Sequence, residues 1–241
     1  MTSPSENQPV FNSPAIVVTL LGLLVAVHAL FTMLPDRTAD LWIWRLAFVP
    51  ARYGPDGYFI PGGILSQFGT PLSHMLVHGD WLHLAFNCAW LLAFGTIVAR
   101  RMNAVRFVAL SAVSGLGGAF VFWLANPDAQ VAMVGASGAV SGLMGGVFRF
   151  LFNAPRYGGF AVMREMPRAV PLMTLGEALQ SRGVLVAVGV WLGLNLLFAT
   201  DFASLITDGE IAWEAHVGGF LVGFLTIGIF DEAWPQPTTS A

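Results

Sequence analysis

The sequence predicts an all-α, polytopic membrane protein built as a bundle of six transmembrane helices. Three observations predict it: a composition too poor in charge for a water-facing surface, six apolar runs of spanning length, and a lopsided distribution of arginine. Of 241 residues, 56% are hydrophobic and only 10% charged, whereas an ordinary soluble domain carries about 25% charged residues. The net charge is −3 and every basic side chain is an arginine, so nothing resembles a nucleic-acid patch. The single cysteine, Cys88, lies inside an apolar run. It excludes a disulfide framework and reads as a small buried hydrophobe.

Crossing a hydrocarbon core of about 30 Å takes about 20 apolar helical residues. Six such runs are present: Ala15–Leu34, His74–Val98, Ala104–Ala125, Val134–Phe152, Gly183–Thr200 and Ile211–Phe230. They make one six-span unit over residues 15–230, between short tails at 1–14 and 231–241. Arg100, Arg101 and Arg106 lie around the second link, and Arg149, Arg156, Arg164, Arg168 and Arg182 in or beside the fourth. That is eight of the eleven basic residues, which makes this side cytoplasmic and places both termini there. The fifth loop, with Asp201, Asp208, Glu210 and Glu214, then faces outward. Residues 35–73 break the trend with Arg37, Arg45 and Arg52. This loop is long and rich in Trp, Pro and Gly, with Trp42, Trp44 and Tyr58, and reads as an interfacial element in the headgroup region. The opening stretch, Met1–Asn12, has no basic n-region, so the first apolar run is expected to stay as an anchor. A chain of this size without a targeting peptide suggests a bacterial plasma (inner) membrane.

A polar side chain away from the ends of a span is costly and marks function by default. Counting back from the cytoplasmic charges at about 1.5 Å per residue through a core of about 30 Å gives depths. Asn87 falls roughly 10 Å below the outer face, Ser137 roughly 12 Å and His216 roughly 8 Å. Three polar side chains from three separate spans thus share one layer, and His83 lies one helical turn from Asn87 on the same face. Ser137 follows the turn cluster Asn126–Pro127–Asp128 and sits within Gly135-Ala136-Ser137-Gly138. A helix starting there has free N–H groups below the membrane surface, tolerated only beside protein or a wet cavity. Such an end also favours the negative charge that develops during acyl transfer. Gly138, Gly142 and Gly146 recur along the fourth span, and Gly219 and Gly223 along the sixth. These close-packing glycines let two backbones approach, as a serine hydroxyl and an imidazole must if one is to deprotonate the other.

His83-Leu84-Ala85-Phe86-Asn87, Gly135-Ala136-Ser137-Gly138-Ala139 and Ala215-His216-Val217-Gly218-Gly219 with Gly223 resemble, in order and separation, the three signatures of the rhomboid family of intramembrane serine proteases. The resemblance covers roughly residues 72–230. It implies a rhomboid-like fold, Ser137 as nucleophile, and His216 as general base and then general acid. His83 and Asn87, with the Ser137 backbone N–H, would form the oxyanion hole. The implied reaction cleaves the transmembrane segment of another membrane protein near its outer end, through an acyl-enzyme, at a site opening outward. Its partners would be such substrates and membrane lipids. No Asp or Glu lies in the middle of a span, and Glu214, two residues from His216, faces elsewhere on the helix, so a dyad rather than a triad is expected. Two positions depart from the family pattern. Gly69-Thr70 stand where Trp-Arg often precedes the second span, and Ser141 stands where an aromatic often packs on the histidine ring.

Each residue also has a plainer reading. A lone membrane serine is usually a packing residue, and an Asn or His usually an interhelical hydrogen-bonding group. His28 and Asn195 are read as structural. His74 and His78, four apart, suit one helical face and a metal. They lack the adjacent Glu of a zinc protease and an obvious third ligand, and read as a polar cluster at the cavity mouth. No metal and no cofactor is expected, and nothing in the residues specifies an oligomeric state. The rival class is an inactive rhomboid-like protein that binds transmembrane helices. A small transporter would show inverted repeats, which the chain lacks.

Overall fold

The computed structural model describes residues 13–55, 57, 60–200 and 211–232. Ten helices occur among them. They are α1 (Ala15–Thr32), α2 (Asp36–Leu46), α3 (Gly63–Ser73), α4 (Trp81–Ala99), α5 (Ala104–Ala125), α6 (Ser137–Leu151), α7 (Gly159–Glu165), α8 (Leu175–Gln180), α9 (Arg182–Phe198) and α10 (Trp213–Phe230). The acidic residues Asp201, Asp208 and Glu210 of the fifth loop, Tyr58 and most of both tails lie outside the described residues.

Each of the six expected runs contains a long helix, with boundaries moved by local chemistry. The second begins at Trp81 rather than His74, because the Asp80 side chain caps it by accepting from the His83 N–H at 2.7 Å. Residues His74–Leu76 form a separate 3₁₀ turn and Val77 is extended. The helical pairing of His74 with His78 is therefore not formed. The fourth begins at Ser137 rather than Val134, because Gly135 takes φ +116° just before it. Four of the six, α1, α4, α5 and α10, are long and apolar enough to cross a membrane.

The fourth helix has another use. At 15 residues it is about 22 Å long, short of a core of about 30 Å. Twelve of its residues are buried, so protein rather than lipid surrounds it. It packs chiefly on α10 and α5, and these three helices form the centre of the molecule. Around it, Leu84, Leu91, Leu110, Leu143, Val147 and Phe150 join one apolar core shared with α1, α4 and α5. A π-helical turn at Leu91–Gly95 locally widens α4 where it meets α6.

The loop at 35–73 forms α2 and α3, linked by a segment pinned by the buried Arg52. Its guanidinium donates to the carbonyl oxygens of Pro61 and Trp44 at 2.9 and 2.7 Å. Phe48 and Met133 exchange backbone hydrogen bonds, placing this loop at the end of the bundle where α5 gives way to α6. Ile64, Leu65 and Phe68 on α3 are exposed.

The arginines of the second and fourth links gather at the opposite end. Arg101 is buried and donates to both oxygens of Asp231, Nε to Oδ1 at 2.8 Å and Nη2 to Oδ2 at 2.6 Å. It also donates to the carbonyls of Val170 and Pro167. Arg149 donates to the carbonyls of Met173 and Phe224. Beside them, Thr174 and Glu177 form a capping box on α8, and the Thr174 N–H holds the Glu177 carboxyl below its ordinary pKa. Ser13, ahead of α1, accepts from Thr96 at this same end.

Candidate active site

Ser137 opens α6. Ala136, at the cap position, offers no side-chain acceptor, so the first N–H groups of α6 have no side-chain cap. The preceding turn is held by Gly135, whose N–H donates to the His74 carbonyl at 2.9 Å. A Cβ at Gly135 would lie 2.7 Å from His83 Nε2 and 3.8 Å from Ser137 Oγ. The absence of a side chain there is what lets the His83 ring stand beside the serine.

The approach of α10 depends on the same economy. A Cβ on Gly219 would run into the Gly138 carbonyl, and one on Gly223 into the Gly142 carbonyl. Gly142 in turn would meet the Gly219 carbonyl at 2.9 Å, and Gly138 the Ala215 carbonyl at 3.4 Å. All five glycines of the α6 and α10 stripes are buried, and all five lie on the α6–α10 crossing, Gly146 against the Ile227 side chain. Ser137 and His216 each follow or precede one of these contacts by a single residue. Both are half-buried. The Ser137 hydroxyl and the His216 ring share no hydrogen bond in this structure. Catalytic hydrogen bonds are often long before a substrate closes the site.

Glycines that the sequence reading passed over extend the crossing to a third helix. A Cβ on Gly118 of α5 would meet the Ala215 carbonyl at 2.6 Å, and one on Gly218 the Gly117 carbonyl. They sit as neighbours, Gly117-Gly118, and so show none of the four-residue spacing that marks α6 and α10.

His83 is half-buried, and its ring meets that of His78 edge-on at 5.2 Å between centroids. Asn87 is buried one turn further along α4, and its Nδ2 donates to the His83 carbonyl at 2.9 Å. Its Oδ1 is buried with no partner. Asn87 thus retains one uncommitted N–H. His28 is buried, with its ring edge-on to Trp81 at 4.5 Å, a packing role as expected. His74 is buried as well.

Asn195, read from the sequence as structural, makes an interhelical contact with the candidate base. Its Oδ1 lies 2.8 Å from Nδ1 of His216, so α9 supplies a polar partner for the ring. Glu214, as expected, points away and accepts from Asn126 Nδ2 at 3.1 Å. No single-residue signal marks Asn195 in the sequence beyond its being polar within an apolar span. Ser141, one turn along α6 from Ser137, is buried. Chemically, the assembly offers a hydroxyl, an imidazole held from behind, and donors around an uncapped helix start.

The Rhomboid domain family model matches residues 66–232. RHOMBOID-like protein 5 of Arabidopsis thaliana is 31% identical over 153 residues, 64% of this chain and 41% of that protein. The putative rhomboid protease YdcA of Bacillus subtilis is 31% identical over 147 residues, 61% of this chain and 68% of YdcA. The rhomboid protease GlpG of Haemophilus influenzae is 28% identical over 166 residues, 66% of this chain and 68% of GlpG. The match spans less than half the length of RHOMBOID-like protein 5 and of RHOMBOID-like protein 4, also of Arabidopsis thaliana, at 41% and 32%. The matched segment runs from within α3 to the end of α10 and includes every residue of the site, so this integral membrane chain belongs to the rhomboid family.

Proposed function

We propose that the chain is an intramembrane serine endopeptidase that cleaves transmembrane segments of other membrane proteins by a Ser137–His216 dyad. The observation that carries this reading is the placement of Ser137 at an uncapped helix start, beside His83 and at a glycine crossing with the helix of His216. Nε2 of His216 takes the hydroxyl proton as Ser137 Oγ attacks the scissile carbonyl. The tetrahedral oxyanion is met by the Ser137 N–H, His83 and the uncommitted N–H of Asn87. Collapse expels the amine, protonated by His216, and leaves an acyl-enzyme. Water, activated by the same imidazole, then releases the acid and the free serine.

The buried, shortened α6 supports a site below the membrane surface. With the arginine-rich end facing the cytoplasm, both ends of the chain are cytoplasmic and the site opens outward. Helices α2 and α3 then lie in the headgroup layer, with Ile64, Leu65 and Phe68 toward lipid.

The decisive experiment compares the wild type with Ser137→Ala in liposomes carrying single-span substrates. A serine-reactive fluorophosphonate should label the wild type alone, and Ser137→Ala should abolish cleavage while leaving the melting temperature nearly unchanged. Labelling at Ser141, or turnover of the variant within about tenfold of wild type, well inside the losses seen on removing a nucleophile, would overturn the assignment. A wild type that binds such segments but neither labels nor cleaves them would make the chain an inactive helix-binding member.

A further inference from the structure

Most of the outer half of α9 faces away from the protein. Leu194, Leu196 and Leu197 are 51%, 53% and 41% exposed. In their midst Asn195 is only 5% exposed, turned inward onto the ring of His216. Its Nδ2 donates to the Trp191 carbonyl one turn back, at 2.9 Å. That bond decides the orientation of the amide, since the reverse placement would set two acceptors against each other. Oδ1 is therefore the atom facing the ring, 2.8 Å from Nδ1. An amide oxygen only accepts, so the hydrogen lies on Nδ1. A neutral imidazole carries one such hydrogen, which leaves the lone pair on Nε2.

We propose that Asn195 is the positioning residue of the catalytic base, holding His216 in the tautomer that leaves Nε2 free to accept the Ser137 proton. The inference rests on the protease reading above and adds a third member to its dyad. The contact does not have to change during turnover. When Nε2 gains its proton, Nδ1–H still donates to the same oxygen, and the bond strengthens because the donor is now charged. A carboxylate would stabilise the imidazolium more, but at the cost of a charge within a span. A neutral acceptor gives orientation without that cost. Among the described residues, the titratable group that faces the ring is His83 of α4, and Glu214 on the same helix points away and is engaged by Asn126.

The test uses the full-length protein in liposomes with a cleavable single-span substrate and Ser137→Ala as blank. Asn195→Ala should lower kcat by about 10–100-fold, the usual effect of removing a residue that orients a histidine. KM should stay within about twofold, since substrate binding is not touched. The rate of fluorophosphonate labelling should fall in parallel. Asn195→Asp keeps the acceptor and adds charge, so it should recover much of the loss. Its acidic limb in kcat should move to higher pH by about one unit, because a carboxylate favours the imidazolium. Nitrogen-15 spectra of histidine-labelled protein should show His216 protonated at Nδ1 in wild type and a tautomer mixture in Asn195→Ala. If Asn195→Ala turns over at the wild-type rate, the inference fails. It fails equally if the variant loses melting temperature and activity together while Asn195→Asp shows neither rescue nor a shifted limb. A wild type without activity but with an Nδ1-protonated His216 would instead count against the protease reading and leave the tautomer assignment standing.

Discussion

Asn87 commits one amide hydrogen to its own helix and keeps the other. That division makes its role testable apart from packing. A donor aimed at developing charge acts in the transition state, and losing one costs about 10²–10³ in rate. Asn87→Ala should therefore lower kcat by that order with KM little changed, as read from Michaelis curves in liposomes. Asn87→Asp, isosteric but repelling an oxyanion, should be no better, and wild-type turnover by that variant would remove Asn87 from the oxyanion hole. At this scale the sequence was most legible where chemistry is written in adjacent residues. The His83–Asn87 spacing and the Gly135–Ser137 turn are local, and the structure sets the His83 ring beside that turn. Asn195 was not legible, because an asparagine in an apolar helix has many candidate partners. Only the rotation of α9 against α10 selects His216.

At the level of the helices, the site depends on backbones touching. Where a Cβ would strike a carbonyl of the facing helix, neither partner is a flexible side chain that can yield. Gly219→Ala should therefore push α10 from α6 and destabilise by about 1–3 kcal/mol, the usual cost of overpacking. Activity should fall further than stability, since His216 lies three residues along the same helix. Gly228→Ala is the matched control, because nothing lies within 4 Å of a Cβ there. It should be neutral or slightly stabilising through helix propensity, by about 0.5–1 kcal/mol. Melting temperature in detergent distinguishes the two, and equal melting temperatures would mean that the crossing relaxes freely. The four-residue glycine stripes of α6 and α10 were readable as periodicity. The adjacent Gly117-Gly118 of α5 was not, since its register matters only once a third helix is laid across the pair. The starts of α4 and α6 were misplaced for a related reason. Hydropathy reports where a run is apolar, whereas the Asp80 cap and the Gly135 turn decide where hydrogen bonding begins.

Taken as one body, the molecule is fastened at the end away from the site. Arg101 and Asp231 are almost fully buried, at 1% and 4% exposure, and Arg101 also lies over the Phe150 ring at 4.4 Å. Breaking a buried pair by removing one partner typically costs about 3–5 kcal/mol, because the other charge is left unpaired. Arg101→Leu should lower the melting temperature accordingly, and Arg101→Leu with Asp231→Leu should recover part of the loss. Equal stability of the two variants would show that the carbonyl contacts of Arg101, not the ion pair, are what matter. Charge asymmetry between the links revealed which residues gather at this end, though not that one of them is a buried tie.

That tie joins positions 130 residues apart, and this separation has a meaning in time. At about 5–20 residues per second, synthesis delivers Asp231 roughly 7–26 seconds after Arg101. His216 itself follows Ser137 by 79 residues, and until it is made the glycine-lined face of α6 has nothing of α10 against it. Until then the nascent chain holds five of its six apolar runs and lacks both His216 and its contact with Asn195. Arrival of the last helix brings His216 to the crossing and, directly after it, the Asp231 that locks the far end, so on the protease reading the site and its fastening are supplied together.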